Sequence, residues 1–263
     1  MHYVESDGLK IAVEILGSGA PLIFAHGLSG NRHIMRQELA PLADRYQIIT
    51  YDQRGHGDST PITDPSLYNA ERMADDLRAV LDDLKIERAI IGGESMGSTT
   101  SLLFALKHPQ RVEKLLLTAP AFGTSANPDR ERLKGLGDSL NQLGLEKFLV
   151  AAAERQRTEL KWTPDVIAFV AKMFSAHQPA SLATAWKTVP DWRPLPDLSI
   201  VSQVKCAVCI IAWEADLLHP SELARDLAAQ FPNAQLKWMP TLPALFQDPT
   251  QVGQLYKDFL EGR

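Results

Sequence analysis

One short motif in this sequence could carry out nucleophilic chemistry: Gly93-Glu94-Ser95-Met96-Gly97, which has the form G-x-S-x-G. An apolar run of buried-strand type, residues 89–91, precedes the motif, and a helical stretch follows it. A serine on a tight turn between a strand and a helix projects its hydroxyl above the sheet, and small glycines let neighbouring backbone pass close by. The N-terminus of the following helix favours negative charge that develops nearby. The motif therefore predicts that Ser95 is a nucleophile.

Strand and helix patterns alternate around this motif. The chain opens with two short β segments, around residues 2–5 and 9–15, which are joined by the turn pair Asp7-Gly8. Amphipathic helical repeats separate the buried-strand runs that follow. These runs are residues 22–25, 47–51, 89–91 and 114–118. The alternation predicts crossover units and a mostly parallel sheet that is covered on both faces by helices.

The alternation stops near Gly123. From residue 124 to about residue 196 the hydrophobic pattern is helical throughout, and the strand pattern returns with residues 207–213. A helix near 222–230, a strand near 235–239 and a last helix near 252–260 complete the chain. We therefore predict one core formed by residues 1–123 and 197–263, with the helical block 124–196 inserted between two of its strands.

Composition narrows the possible partners. The chain has 263 residues and a formal net charge of −5, and no cluster of Lys and Arg suggests a nucleic-acid partner. It has neither a run of about 18 apolar residues nor a signal-peptide pattern, so we expect a cytoplasmic protein that does not cross a membrane. Cys206 and Cys209 lack the further ligands of a zinc site, and no dinucleotide motif occurs, so no metal or cofactor is expected.

At this point the chain resembles the α/β-hydrolase fold superfamily over nearly its whole length. Besides the serine motif, His26-Gly27-Leu28 looks like the family's oxyanion loop, and residues 52–59 are similar to its D-x-R-G-x-G-x-S turn. Residues 213–220 look like the late strand end that supplies the catalytic acid. The resemblance implies an eight-stranded, mostly parallel sheet with a helical cap, residues 124–196, inserted after strand 6. In the family this cap covers the site and selects substrates.

The resemblance also implies a role for particular residues. Ser95 would be the nucleophile and Asp216 the carboxylate, while the backbone N–H groups of Leu28 and Met96 would hold the oxyanion. The family's base is a histidine in a segment resembling G-H-x-x-x-x-E-x-P after the final strand. Alignment on Pro249 places Leu242 at the position of this histidine, and no histidine follows His219. The expected catalytic triad therefore lacks its usual base.

Two other histidines are candidates for the base. His219 lies three residues beyond Asp216 on a loop that should open toward the site, and His177 lies in the helical block. Residues 181–186 of that block also resemble the cap of enol-lactone hydrolases.

Three hypotheses about function remain open. The first is a hydrolase of small esters, lactones or related carbonyl compounds that acts through Ser95. The second is a lyase, isomerase or cyclase that uses the same pocket without an activated serine. The third is an inactive protein that binds a small ligand. In each case the expected partner is a small molecule, and the sequence leaves the oligomeric state open.

Overall fold

In a computed structural model that describes all 263 residues, the strands form a single eight-stranded sheet. Their order across the sheet is β1-β2-β4-β3-β5-β6-β7-β8, where only the pairs that involve β1 and β2 are antiparallel. The strands are β1 (His2–Ser6), β2 (Leu9–Leu16), β3 (Ala20–Ala25), β4 (Tyr46–Tyr51), β5 (Ala89–Glu94), β6 (Val112–Thr118), β7 (Ala207–Ala212) and β8 (Ala234–Trp238). The predicted mostly parallel sheet is confirmed.

Helices cover both faces of this sheet. Alternate residues of β7 belong to different hydrophobic clusters, since Ile210 packs in one cluster and Ile211 in the other. This alternation places the two clusters on opposite faces of the sheet. The core helices are α1 (Arg32–Glu38), α2 (Ala70–Asp83), α3 (Met96–Lys107), α7 (Ser221–Gln230), α8 (Leu242–Gln247) and α9 (Thr250–Leu260). Helices α2, α3 and α7 pack on the face to which Ile210 points, whereas α1 and α9 pack on the face to which Ile211 points.

Three further helices lie between β6 and β7: α4 (Arg130–Thr158), α5 (Pro164–Ser175) and α6 (Pro179–Thr188). Together they are called the α4–α6 layer below. Leu140, Phe148 and Trp186 of this layer pack in one hydrophobic cluster with Leu28 and Met96, which follow β3 and β5. The indole N–H of Trp186 also donates to the Ser29 hydroxyl over 2.9 Å. The layer therefore lies on the loops at the carboxyl ends of the central strands.

None of the helices combines the length and the apolar composition that a membrane span requires. The two cysteines are free thiols that pack in different hydrophobic clusters, Cys206 against one face of the sheet and Cys209 within the other.

Candidate active site

Ser95 occupies a tight turn between β5 and α3. Its backbone lies at φ 53° and ψ −111°, a conformation that costs a non-glycine residue free energy and that a surrounding structure must hold in place. The Ser95 N–H donates to the Thr118 carbonyl over 2.9 Å. A Cβ atom on Gly93 would lie 2.1 Å from the Gly97 carbonyl oxygen, and one on Gly97 would lie 2.1 Å from that of Ala25. Only glycine fits at either motif position because backbone atoms approach so closely there.

His219 lies between Ser95 and Asp216. Its Nε2 atom is 3.0 Å from the Ser95 hydroxyl oxygen, and its Nδ1 atom is 2.7 Å from Oδ2 of Asp216. An ionised carboxylate only accepts hydrogen bonds, so the Nδ1–H of His219 donates to Asp216. The lone pair of Nε2 then faces the Ser95 hydroxyl, which donates to it. This is the arrangement in which an imidazole can remove the proton of a serine.

The loop after β7 holds the Asp216 carboxylate by several hydrogen bonds. The indole N–H of Trp213 donates to Oδ2 over 2.7 Å, and the backbone N–H of Leu218 donates to Oδ1 over 2.9 Å. Burial alone would raise the pKa of Asp216, but the bonds from His219, Trp213 and Leu218 outweigh it and hold this pKa well below its usual value. Asp216 is therefore ionised at neutral pH and can orient the imidazole.

The loop that contains Leu28 lies against the serine. A Cβ atom on Gly27 would lie 3.4 Å from Cβ of Ser95. The Leu28 N–H donates to no acceptor of the protein, and Met96 is the first residue of α3, where N–H groups lack partners within the helix. Two histidines fix this loop, since His56 lies 2.8 Å from the Leu28 carbonyl and His26 lies 2.7 Å from that of Gly27. Both predicted oxyanion donors thus lie next to Ser95.

His177, the other candidate base, has different partners. Its Nδ1 atom accepts a hydrogen bond from the Gly57 N–H over 3.0 Å, and its Nε2–H donates to the Ser29 carbonyl over 2.9 Å. Burial, with a smaller contribution from His56, lowers the pKa of His177 to about 3. Because backbone groups occupy both ring nitrogens, this imidazole has no free lone pair for a serine. The structure brings together Ser95, Asp216 and His219, with Leu28 and Met96, and leaves His177 outside this group.

Residues 20–162 of the chain match the family model of the alpha/beta hydrolase fold. The chain belongs to the α/β-hydrolase fold family. Among curated proteins, 3-oxoadipate enol-lactonase 2 of Acinetobacter baylyi is 35% identical over 100 residues, which cover 38% of this chain and 37% of that protein. The AB hydrolase superfamily protein YisY of Bacillus subtilis is 26% identical over 246 residues, which cover 89% of each protein.

Solved structures of the same fold cover this α/β-hydrolase almost completely. A thermophilic esterase from Thermogutta terrifontis superimposes with a TM-score of 0.82 at 22% identity, over 99% of this chain and 98% of the esterase. The enol-lactonase from Burkholderia xenovorans LB400 superimposes with a TM-score of 0.81 at 21% identity, over 99% of this chain and 100% of the lactonase. At these identities the two superpositions show a shared fold.

Two neighbouring cavities lie near Ser95 of this α/β-hydrolase, and the smaller one is lined by Ser95 itself. The first, of about 100 Å³, is lined by Ser95, His219, Leu28 and Leu242, and is called the serine cavity below. The second, of about 180 Å³, lies mainly among apolar side chains of the α4–α6 layer and is called the apolar cavity. Both are lined in part by Leu133, Met173, Leu218, Leu242 and Phe246. Leu242, which aligns with the family's histidine, therefore contributes an apolar side chain to both cavities.

Two acidic side chains that the sequence analysis did not single out also line the serine cavity. Glu94 immediately precedes Ser95, and Glu38 ends α1. In the sequence, only Glu94 gives a signal for this pair, because it lies inside the serine motif. Glu38 is far away in the chain and comes close to Glu94 only because α1 packs on the sheet.

Proposed function

We propose that this α/β-hydrolase cleaves small esters or lactones through a covalent acyl intermediate on Ser95, with His219 as the base and Asp216 as its partner. One observation carries the proposal: His219 contacts the Ser95 hydroxyl at 3.0 Å through one ring nitrogen and the Asp216 carboxylate at 2.7 Å through the other. A base that has both contacts can take a proton from the serine and keep the resulting positive charge beside a carboxylate.

In the first half of the proposed reaction, Ser95 Oγ attacks the carbonyl carbon while its proton passes to Nε2 of His219. The carbonyl oxygen becomes an oxyanion that accepts hydrogen bonds from the N–H groups of Leu28 and Met96. The imidazolium then gives its proton to the oxygen of the leaving alcohol, and the bond between carbon and that oxygen breaks. Water repeats these steps on the acyl-serine, with His219 as the base, and releases the carboxylic acid and Ser95.

The proposed triad differs from the usual family pattern in the chain position of its base. In that pattern the histidine follows the last strand, whereas His219 follows β7 and lies three residues after Asp216. The same constellation of groups recurs at unrelated chain positions in different serine hydrolases, since catalysis depends on geometry and not on order. Replacement of the usual histidine by Leu242 is therefore compatible with a complete triad.

The two cavities support a small, largely apolar substrate. Their volumes of about 100 and 180 Å³ suit short acyl and alcohol groups, and 13 of the 17 residues that line the apolar cavity are hydrophobic. The enol-lactonase and esterase among the related proteins support the same class of reaction. We also propose that residues 124–196 act as the cap that selects the substrate, because the α4–α6 layer forms most of the apolar cavity.

A panel of short-chain p-nitrophenyl esters, combined with a fluorophosphonate probe, tests the proposal. We expect the wild-type protein to hydrolyse at least one ester and to be labelled by the probe. Ser95→Ala should abolish the labelling and lower turnover by about 10³-fold or more. Ester turnover that persists in Ser95→Ala would contradict the acyl-serine route and would mean that the esters are hydrolysed without the serine. Binding of an ester without labelling or turnover would favour a ligand-binding protein.

A further inference from the structure

The serine cavity contains a pair of carboxyl groups that the proposed hydrolysis does not use. Glu38 is 2% exposed, and Glu94 is its neighbour across the cavity that both line with Ser95 and His219. The Oε2 atoms of both are fully buried, and neither receives a hydrogen bond from any N–H or O–H group of another residue. The two carboxyl groups interact with each other, and a hydrogen bond between them would require one shared proton.

The charge of this pair follows from its surroundings. No Lys or Arg lines the serine cavity, and two buried carboxylates in contact cannot both be ionised. Burial and then the neighbouring Glu94 raise the pKa of Glu38 well above its usual value. Burial also raises the pKa of Glu94, but His219 opposes this rise. Ionisation of one member of the pair therefore favours Glu94, which His219 stabilises, over Glu38.

The carboxyl group of Glu94 is close to the reacting serine. A Cβ atom on Gly27 would lie 3.3 Å from Oε1 of Glu94 and 3.4 Å from Cβ of Ser95. One small molecular fragment can thus reach both groups. The same cavity is also lined by apolar side chains, which include Ile34, Met35 and Phe246. A polar group of a substrate that enters this space loses contact with water and needs a partner there.

We propose that the pair formed by Glu38 and Glu94 is a subsite for a protonated amine on the ester substrate, an inference that rests on the function proposed above. The cavity holds two buried carboxyl groups with unpartnered oxygens and no Lys or Arg, so an ammonium group there would favour ionisation of Glu94 and its N–H groups would donate to the carboxylate oxygens. An anionic substituent would be repelled by Glu94, and a purely apolar one would leave the carboxylate buried without a partner.

Two esters of the same shape provide the test. 2-(Dimethylamino)ethyl acetate is protonated at pH 7, and 3-methylbutyl acetate has a carbon atom in place of its nitrogen. We expect the wild-type protein to hydrolyse the ammonium ester with a kcat/KM about 10 to 100 times that of the apolar ester, as a charge-assisted hydrogen bond in a buried site implies. Acid release at constant pH measures both reactions without a chromophore.

Substitution by glutamine distinguishes the two members of the pair. Glu94→Gln removes the charge and should bring the ratio of the two kcat/KM values close to one. Glu38→Gln resembles the protonated acid and should keep the ratio within about threefold of the wild-type value. Glu113→Gln, at an exposed position of β6, makes the same change in net charge and should leave the ratio unchanged.

The outcomes separate this inference from the proposed function. If neither ester is hydrolysed and no p-nitrophenyl ester is either, the proposed function is wrong and the subsite falls with it. Ser95-dependent hydrolysis with a wild-type ratio of one or less overturns the subsite alone, without reference to any variant. A Glu94→Gln protein that slows both esters equally also overturns it, because Glu94 would then act on His219 and not on the substrate.

Discussion

The two candidate bases, His219 and His177, are almost equally buried, yet their chemistry differs. The side chain of His219 is 6% exposed and that of His177 is 5% exposed. His219 has a carboxylate on one nitrogen and a hydroxyl on the other, whereas both nitrogens of His177 face backbone groups. Burial, with a smaller contribution from His56, lowers the pKa of His177 to about 3, and its two hydrogen bonds link the turn between α5 and α6 to Ser29 and Gly57. The comparison shows that the partners of an imidazole, and not its depth, decide whether it can act as a base.

The largest expected difference between the two histidines is in catalysis. We expect His219→Ala to lower kcat for a p-nitrophenyl ester by up to about 10⁶-fold, because the serine would lose its base. His177→Gln should cost less than about tenfold, since it can act only through the loop that it supports. Equal losses of activity in both variants would show that His219 has no special role as the base. His33→Ala, whose side chain is half exposed on α1, is the matched control.

The second difference between the two histidines is that only His219 has a carboxylate partner, Asp216. Asp216→Asn should lower kcat by about 10³-fold, because an amide N–H that donates to Nδ1 places the imidazole proton on Nε2, facing the serine. Fluorophosphonate labelling rates of the purified variant measure the same loss at Ser95. Asp138→Asn, at an exposed site of α4, should label at the wild-type rate. A wild-type rate in Asp216→Asn would mean that the carboxylate does not orient the base.

Acid unfolding should depend on His177. Its pKa of about 3 in the folded protein lies below the value near 6.5 of an unfolded histidine, so the unfolded chain binds the extra proton as the pH falls. This group should therefore lower the free energy of unfolding by on the order of 4 kcal/mol between about pH 6.5 and pH 3. Urea unfolding at a series of pH values measures the loss.

His177→Gln should reduce this loss, because glutamine has no charge to acquire. The comparison has to be made with wild type at each pH. Glu38, whose pKa is raised by burial, acts with the opposite sign because it favours the folded state more as the pH falls. Parallel stability curves for wild type and His177→Gln would show that His177 does not titrate on unfolding.

A smaller effect should follow from moving the base to the usual family position. Leu242 and Ser95 line the same cavity, so an imidazole at residue 242 can approach the serine from the loop after β8. We expect the double variant with His219→Ala and Leu242→His to recover activity about tenfold relative to His219→Ala alone. No recovery would mean that the loop after β8 has diverged too far to orient a base. Leu242→His alone controls for effects on the cavity.

Much of the fold follows from patterns of a few residues. Each buried-strand run predicted from the sequence is a strand, and the Asp7-Gly8 turn joins β1 to β2, with φ angles of 52° and 75°. Helices α1 and α8 were missed. Each spans no more than seven residues and is too short to show the apolar stripe of a longer helix. Helix α1 also buries the charged residues Arg32 and Glu38.

The sequence by itself determined where the strands lie along the chain, that a block of helices lies between β6 and β7, and that Ser95 lies on a turn between a strand and a helix. These features depend on local spacing: a period of two or about 3.6 residues, and glycines where backbones nearly touch. Only the tertiary structure shows that His219, and not His177, contacts Ser95, because that contact depends on which loops meet above the sheet and on the direction of each ring. The same holds for Glu38, which lies beside Glu94 only because α1 packs on the sheet.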